Sequence, residues 1–225
     1  MTRLLLTQSF DGFLGRKIAD ILLKPGQLLH VQGECADGVE TFLQYLSGNK
    51  QSRATTKIMD GIDVSSFAPE DLHRLGLVFV SGHRKTFPSL TIEDHLVLRL
   101  RGLGRSVPSQ KEMVAECISL FPFLDRLLNV PTGNLSGGQQ QMAMLASAMV
   151  GTPIVLIIDE PLLGLSAEAK RYALRGIQTL AAVGTSLIIV EQQRSIEFDW
   201  ANFSLQFTVS ELMLQSEGAI EAESF

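Results

Sequence analysis

Cysteine is scarce in this chain of 225 residues: there are two, Cys35 and Cys117. Two thiols cannot build a disulfide framework and these lack metal-ligand spacing, so a reducing compartment is expected and both read as ordinary small residues. Basic charge is also short, 19 Lys and Arg against 24 Asp and Glu for a net charge of −5. Nucleic-acid binding rests on a basic footprint that neutralises phosphates, so no nucleic-acid partner is expected. Long hydrophobic runs are missing as well. The opening "MTRLLLTQSFDGF" has three apolar residues before polar ones, which predicts neither a signal peptide nor an anchor, and no later run approaches the roughly 20 residues of a spanning helix. A role at a membrane would require docking on another chain.

What is present is a globular composition, 45% hydrophobic, long enough for one domain with a sizeable core. Short apolar runs at Leu28 to Val31, Leu77 to Val80, Ile154 to Ile158 and Leu187 to Val190 alternate with helix-like patterns. Apolar on both faces, they suit central strands of a parallel sheet covered by helices, and the fold class reads as α/β. "RLLLTQ" and "ADILLKPGQLL" predict a small antiparallel layer with a turn at Pro25 and Gly26. The segment from about Thr91 to Asn134 lacks a strand pattern and reads as an inserted helical subdomain, spanning about residues 90 to 135 of a single domain. "SELMLQSEGAIEAE" predicts a strand pair turning at Glu217 and Gly218.

Two stretches carry chemistry. In "NLSGGQQQMAML", Ser136 with Gln139 three residues on is a capping box, and Met142, Leu145 and Met149 form one apolar helix face. Capping accounts for the serine and glutamine but not for Gly137 and Gly138, which leave backbone N–H groups open at a helix N-terminus, where a phosphate is well held. Beyond that helix, "TPIVLIIDEPLLGLS" is an apolar strand ending in Asp159 and Glu160. Carboxylates delivered to the C-terminal end of a strand in an open α/β sheet can hold Mg²⁺ and polarise water; a solvated acidic turn is the plainer alternative.

Together the two stretches resemble the ATP-binding subunits of ABC transporters, with "LSGGQQQ" as the signature motif and "IVLIIDEP" as the Walker B strand. The resemblance covers almost the whole chain. "FPSLTIEDHL", "LFPFLDR", "DEPLLGLS" and "IIVEQQ" are similar to the branched-chain amino-acid uptake branch, and to the smaller of its two paired ATPases. The resemblance implies an ABC-type ATPase core with an N-terminal antiparallel β layer and a helical insertion, ATP and Mg²⁺ as cofactors, transmembrane transporter subunits as partners, and a peripheral location on the cytoplasmic face of the membrane.

The family's phosphate loop reads G-x-x-x-x-G-K-[ST]-[ST]; here the matching residues in "VQGECADGVETFL" are Gly33, Gly38, Val39, Glu40 and Thr41. Val39 stands where the resemblance places the phosphate-binding lysine, and Glu40 where it places the metal-binding hydroxyl. At an effective dielectric of about 20, a unit charge about 4 Å from a phosphate oxygen is worth roughly 4 kcal/mol. Its loss alone corresponds to about three decades of affinity, and Glu40 and Asp37 would add repulsion. The loop reads as a broken cradle.

By the same resemblance, Gly82 replaces the glutamine that senses the γ-phosphate, Gln192 takes the switch position and Ser166 follows "DEPLLGL". Phe10 takes the adenine-stacking position, although a phenylalanine there also suits the core. Asp159 would hold the metal and Glu160 the catalytic position, idle in a degenerate site or serving only to hold the turn. Family members work head to tail, each ATP lying between one chain's phosphate loop and the other's signature. A degraded loop beside an intact signature therefore implies a heterodimer, in which Ser136, Gly137, Gly138 and Gln139 complete the ATP site of a second ATPase bearing an intact phosphate loop. The alternatives are a non-catalytic scaffold that has kept the fold and a homodimeric ATPase with an unusual loop. His30, His73, His83 and His95 show no metal spacing and read as surface or internally satisfied.

Overall fold

The computed structural model describes residues 4–7, 20–33, 36–50, 56–81, 86–103, 107–191, 201–207 and 212–216. In chain order, β1 (Leu4–Thr7), β2 (Ile21–Leu23) and β3 (Leu28–Gly33) lead to α1 (Ala36–Leu46), the hairpin β4 (Thr56–Met59) and β5 (Ile62–Asp63), then α2 (Pro69–Arg74) and β6 (Leu77–Val80). Two helices follow, α3 (Ile92–Gly102) and α4 (Val107–Leu120), with 3-10 turns at Pro122–Leu127 and Thr132–Asn134. The chain returns through α5 (Gly137–Met149), β7 (Val155–Asp159), α6 (Ala167–Ala182), β8 (Ser186–Glu191), β9 (Phe203–Phe207) and β10 (Leu212–Ser216).

The four apolar runs become β3, β6, β7 and β8, neighbours in a six-stranded sheet of order β10-β9-β3-β8-β7-β6. Every pairing from β9 to β6 is parallel, and β10 closes the edge antiparallel to β9. Their two-faced hydrophobicity has a direct cause. Leu28, Leu156, Ile158, Leu187 and Ile189 face a core shared with α3, α5 and α6, while Leu29, Val31, Val155, Ile157 and Val190 face a second core shared with α1 and the antiparallel layer. A strand covered on both sides has no polar face to show.

The antiparallel layer has the order β2-β1-β4-β5. Its hairpin turns at Asp60 and Gly61, both at positive φ (47° and 83°), as a two-residue Asp-Gly turn requires. The predicted turn at Pro25 and Gly26 is present: Gln27 N donates to Lys24 O at 3.1 Å, with Gly26 at φ 79°, the geometry that favours proline then glycine. Between β6 and α5 the described residues hold helices and 3-10 turns, with one isolated bridge between Thr91 and Pro131.

Leu212–Ser216 is a strand within the expected C-terminal stretch and pairs with the preceding Phe203–Phe207, extending the main sheet; the expected turn at Glu217 and Gly218 and the strand after it lie outside the described residues.

Candidate functional site

The parallel strands bring three sequence-distant residues to one edge. β3 ends at Gly33, β8 at Glu191 and β7 at Asp159, and these strands are adjacent, so the three residues stand at the carboxyl end of the sheet where open α/β folds bind ligands. Asp159 is buried, in register with Val190. Glu160 follows at φ 51°, a left-handed conformation uncommon outside glycine. Its N–H donates to Val190 O at 2.9 Å, and its carbonyl accepts from Gln141 Nε2 at 3.4 Å, so the turn after β7 is tied both to β8 and to α5.

The phosphate-loop positions sit differently from what a cradle needs. Only two residues separate Gly33 from the start of α1 at Ala36, and Gly38 lies inside the first turn of that helix. The amides of Glu40 and Thr41 thus fall beyond the four open donors of the helix N-terminus. Val39 is 1% exposed and packs in the core with Phe42, Leu43 and Leu46. Glu40 is exposed and accepts from Gln44 Nε2 at 2.8 Å along the helix surface, and Thr41 is half-buried. With an apolar side chain turned inward at the cation position and a carboxylate at the hydroxyl position, these residues do not fit ATP with Mg²⁺. Among the described residues no group of three or more His, Cys, Asp or Glu could hold a metal ion. Phe10, Gly82, His83 and Gln192 lie outside the described residues.

The start of α5 is organised in the opposite sense. Ser136 N donates to Gln139 Oε1 at 3.0 Å, and Gln139 N reaches Ser136 Oγ at 3.4 Å, forming the predicted capping box. The other two glutamines of the run, missed in the sequence reading, are also engaged. Gln140 Nε2 donates to Thr132 O and Leu135 O, fixing the entry to the helix, and Gln141 makes the Glu160 contact described above. Met142, Leu145 and Met149 are buried. A run of three glutamines with no apolar partner was the available signal.

Gly137 and Gly138 have no internal reason to be glycine. Both have helical backbones, a Cβ on Gly137 would meet nothing within 4 Å, and one on Gly138 would come no closer than 3.6 Å to Gly164 O. Two glycines in a helix cost about 1 kcal/mol each relative to alanine. The packing around them therefore does not account for either glycine. Beside them a cavity of about 420 Å³ opens between α5 and α6, bordered by Ser136, Gly138, Gln139, Gly164, Ser166 and Tyr172.

The described histidines are satisfied. His30 Nε2 lies 2.9 Å from Glu191 Oε2, both buried. His95 meets Thr91 O through Nδ1 and accepts from Phe87 N. His73 packs on Arg99.

Residues 17–163 match the family model described as ABC transporter. The chain belongs to the ABC transporter family. It is 27% identical over 202 residues, 85% of this chain and 79% of the relative, to the "Probable branched-chain amino acid transport ATP-binding protein LivG" of Archaeoglobus fulgidus. It is 24% identical over 197 residues, 88% of this chain and 84% of the relative, to the "High-affinity branched-chain amino acid transport ATP-binding protein BraG" of Pseudomonas aeruginosa. Among solved structures, an ATP-binding subunit of an ABC transporter superposes with a TM-score of 0.81 at 20% identity, covering 96% of this chain and 90% of the other, which establishes the shared α/β cassette fold. Among the described residues of this ABC family member, no helix is long and apolar enough to cross a membrane.

Proposed function

We propose that this chain is an ATPase subunit of an ABC importer that lends the N-terminus of α5 to an ATP held by a second, competent ATPase, and holds no productive ATP of its own. The carrying observation is the contrast between two helix starts. At α5 the amides are bare, capped and unobstructed; at α1 the cation position is buried valine and the metal position is an exposed glutamate. Ser136, Gly137 and Gly138 would meet the terminal phosphate of the partner's nucleotide, and Mg²⁺ would belong to that partner's site. Glu160 would hold the turn after β7 rather than promote hydrolysis.

The relatives' names favour branched-chain amino acids or similar small polar solutes as cargo. The transporter would include transmembrane subunits that dock on the helical segment around α3 and α4, placing this chain peripherally on the cytoplasmic face of the membrane. Gentle purification from native membranes, with mass spectrometry of the co-purifying chains, tests the reading. A second ATPase bearing an intact G-x-x-x-x-G-K-[ST] loop together with membrane subunits is the expected result. Recovery of this chain alone would overturn the proposal in favour of a scaffold.

A further inference from the structure

Three consecutive glutamines hold the start of α5 from three directions. Gln139 closes the cap with Ser136, Gln140 grips the entry through Thr132 O and Leu135 O, and Gln141 reaches across to the carbonyl that follows β7. The first two are local in sequence. The third spans 19 residues and joins a helix start to the carboxyl end of a sheet strand.

The fold has little need of this third bond. Glu160 O already accepts from Leu163 N at 3.3 Å, so the carbonyl keeps a partner without the glutamine. At 3.4 Å the side-chain bond is long, and Gln141 is half-buried. The end it reaches is nevertheless firmly placed. Asp159 is buried in register with Val190, and Glu160 N donates to Val190 O at 2.9 Å. Glu160 itself stands at φ 51°, a conformation that a non-glycine residue keeps only where its surroundings hold it.

On the helix, Gln141 stands one turn beyond Gly137 on the same face, and helical side chains lean back toward the N-terminus. Its bond therefore ties the end of β7 to the turn that carries the amides of Gly137 and Gly138. Gly138 lies against the same segment, since a Cβ there would come 3.6 Å from Gly164 O and 3.9 Å from Leu165 Cδ2. The first turn of α5 is thus set against the residues after β7 at two points.

We propose that Gln141 is a positioning residue: it fixes the first turn of α5 on the end of β7, and so sets where Gly137 and Gly138 present their amides to the terminal phosphate of a partner's ATP. This rests on the subunit reading given above, and it gives the turn at Glu160 a role performed by its backbone rather than by its carboxylate. A phosphate taken by several N–H groups at once requires that they converge to within about half an ångström. Loosening the turn therefore costs nucleotide affinity, and it does so in the bound state and the transition state alike.

Gln141→Met in this chain, within the purified complex, removes the donor and keeps the length and neutrality of the side chain. KM for ATP should rise about threefold to tenfold with kcat close to wild type, the range expected for one hydrogen bond. The variant chain purified alone should unfold in urea at the wild-type midpoint, because Glu160 O keeps Leu163 N. Gln141→Asn retains the amide one methylene short of the carbonyl and should behave as Gln141→Met does. An unchanged KM in Gln141→Met would overturn the inference. So would a wild-type KM in Gln141→Asn, or a rise in KM matched by a fall in the urea midpoint, which would mark a residue of the fold. Gly138→Asp in the same complex separates this inference from the reading beneath it. If that variant abolishes hydrolysis while Gln141→Met leaves KM unchanged, only the role of Gln141 falls. If Gly138→Asp hydrolyses ATP like wild type, or if Gln141→Met lowers kcat and not KM, the subunit reading falls and the role of Gln141 with it.

Discussion

Lys57 Nζ donates to the backbone carbonyl of Tyr45 at 3.0 Å and lies 5.1 Å from the centroid of the same residue's ring. A second bond at 3.1 Å reaches Leu46 O, so a fully buried cation on β4 closes the C-terminus of α1, whose own last turn carries no basic residue. The helix end gains the favourable charge it lacks.

This lysine makes stability pH-dependent in a stated direction. Burial lowers its pKa from 10.5 to about 8, so the unfolded chain binds more protons between those values and stability rises with pH across that interval. The cost of keeping the cation buried is fully present below pH 8. Cys117, whose thiol burial pushes to about 12, acts oppositely once the unfolded thiol ionises above about pH 9. The clean window is therefore pH 8 to 9, where the gain should be up to about 1 kcal/mol. Urea unfolding of wild type and Lys57→Met at both ends of that window should show the rise in wild type only. The same rise in both would remove Lys57 as its source.

Val39→Lys should destabilise the chain by about 3 kcal/mol or more, because the side chain points into the core rather than toward a phosphate. Thermal unfolding and binding of Mg²⁺-ATP read the two consequences. Retained stability with newly gained nucleotide binding would show that the position can face a ligand after all.

Ser136→Ala should cost about 1 kcal/mol of stability by opening the cap of α5. Gly137→Ala should cost nothing and could add up to about 1 kcal/mol, since its Cβ meets only open space. Chemical denaturation of the two variants separates a residue that the fold needs from one that it does not, and equal losses from both would contradict this.

Gly176→Ala reports the packing of α6 on the helical segment. A Cβ there would stand 2.8 Å from Phe121 Cζ and 3.1 Å from Met149 Sδ, both in buried side chains. Overpacking of about 1 to 3 kcal/mol should outweigh the gain in helix propensity. A stabilised variant would mean that Phe121 moves aside freely.

The central strands were legible in the sequence because each is apolar over its whole length, a pattern that two covered faces impose. The α5 cap was legible because Ser136 and Gln139 are local. His30 and Glu191 were not, since they stand 161 residues apart and meet only once β3 and β8 pair; a histidine inside "LLHV" and a glutamate closing "LIIVE" were the sole hints. The β9–β10 pairing was not legible, because strand partners are settled by the sheet and no turn signal marks the connection between "FSLQF" and "LMLQS". The inward-facing Val39 was legible only as a missing lysine; that α1 starts at Ala36 and turns this position into the core needed the fold.

The central claim is that this chain serves a partner's nucleotide and not its own. The most direct measurement is the ATPase rate of the purified complex carrying either Gly138→Asp or Glu160→Gln in this chain. An aspartate near the helix start suits the dipole of α5, so the first variant should fold while repelling a phosphate. The account predicts that Gly138→Asp abolishes hydrolysis and that Glu160→Gln leaves it close to wild type. Equal loss from both would contradict it, because Glu160 would then be promoting hydrolysis in a site that this chain itself completes.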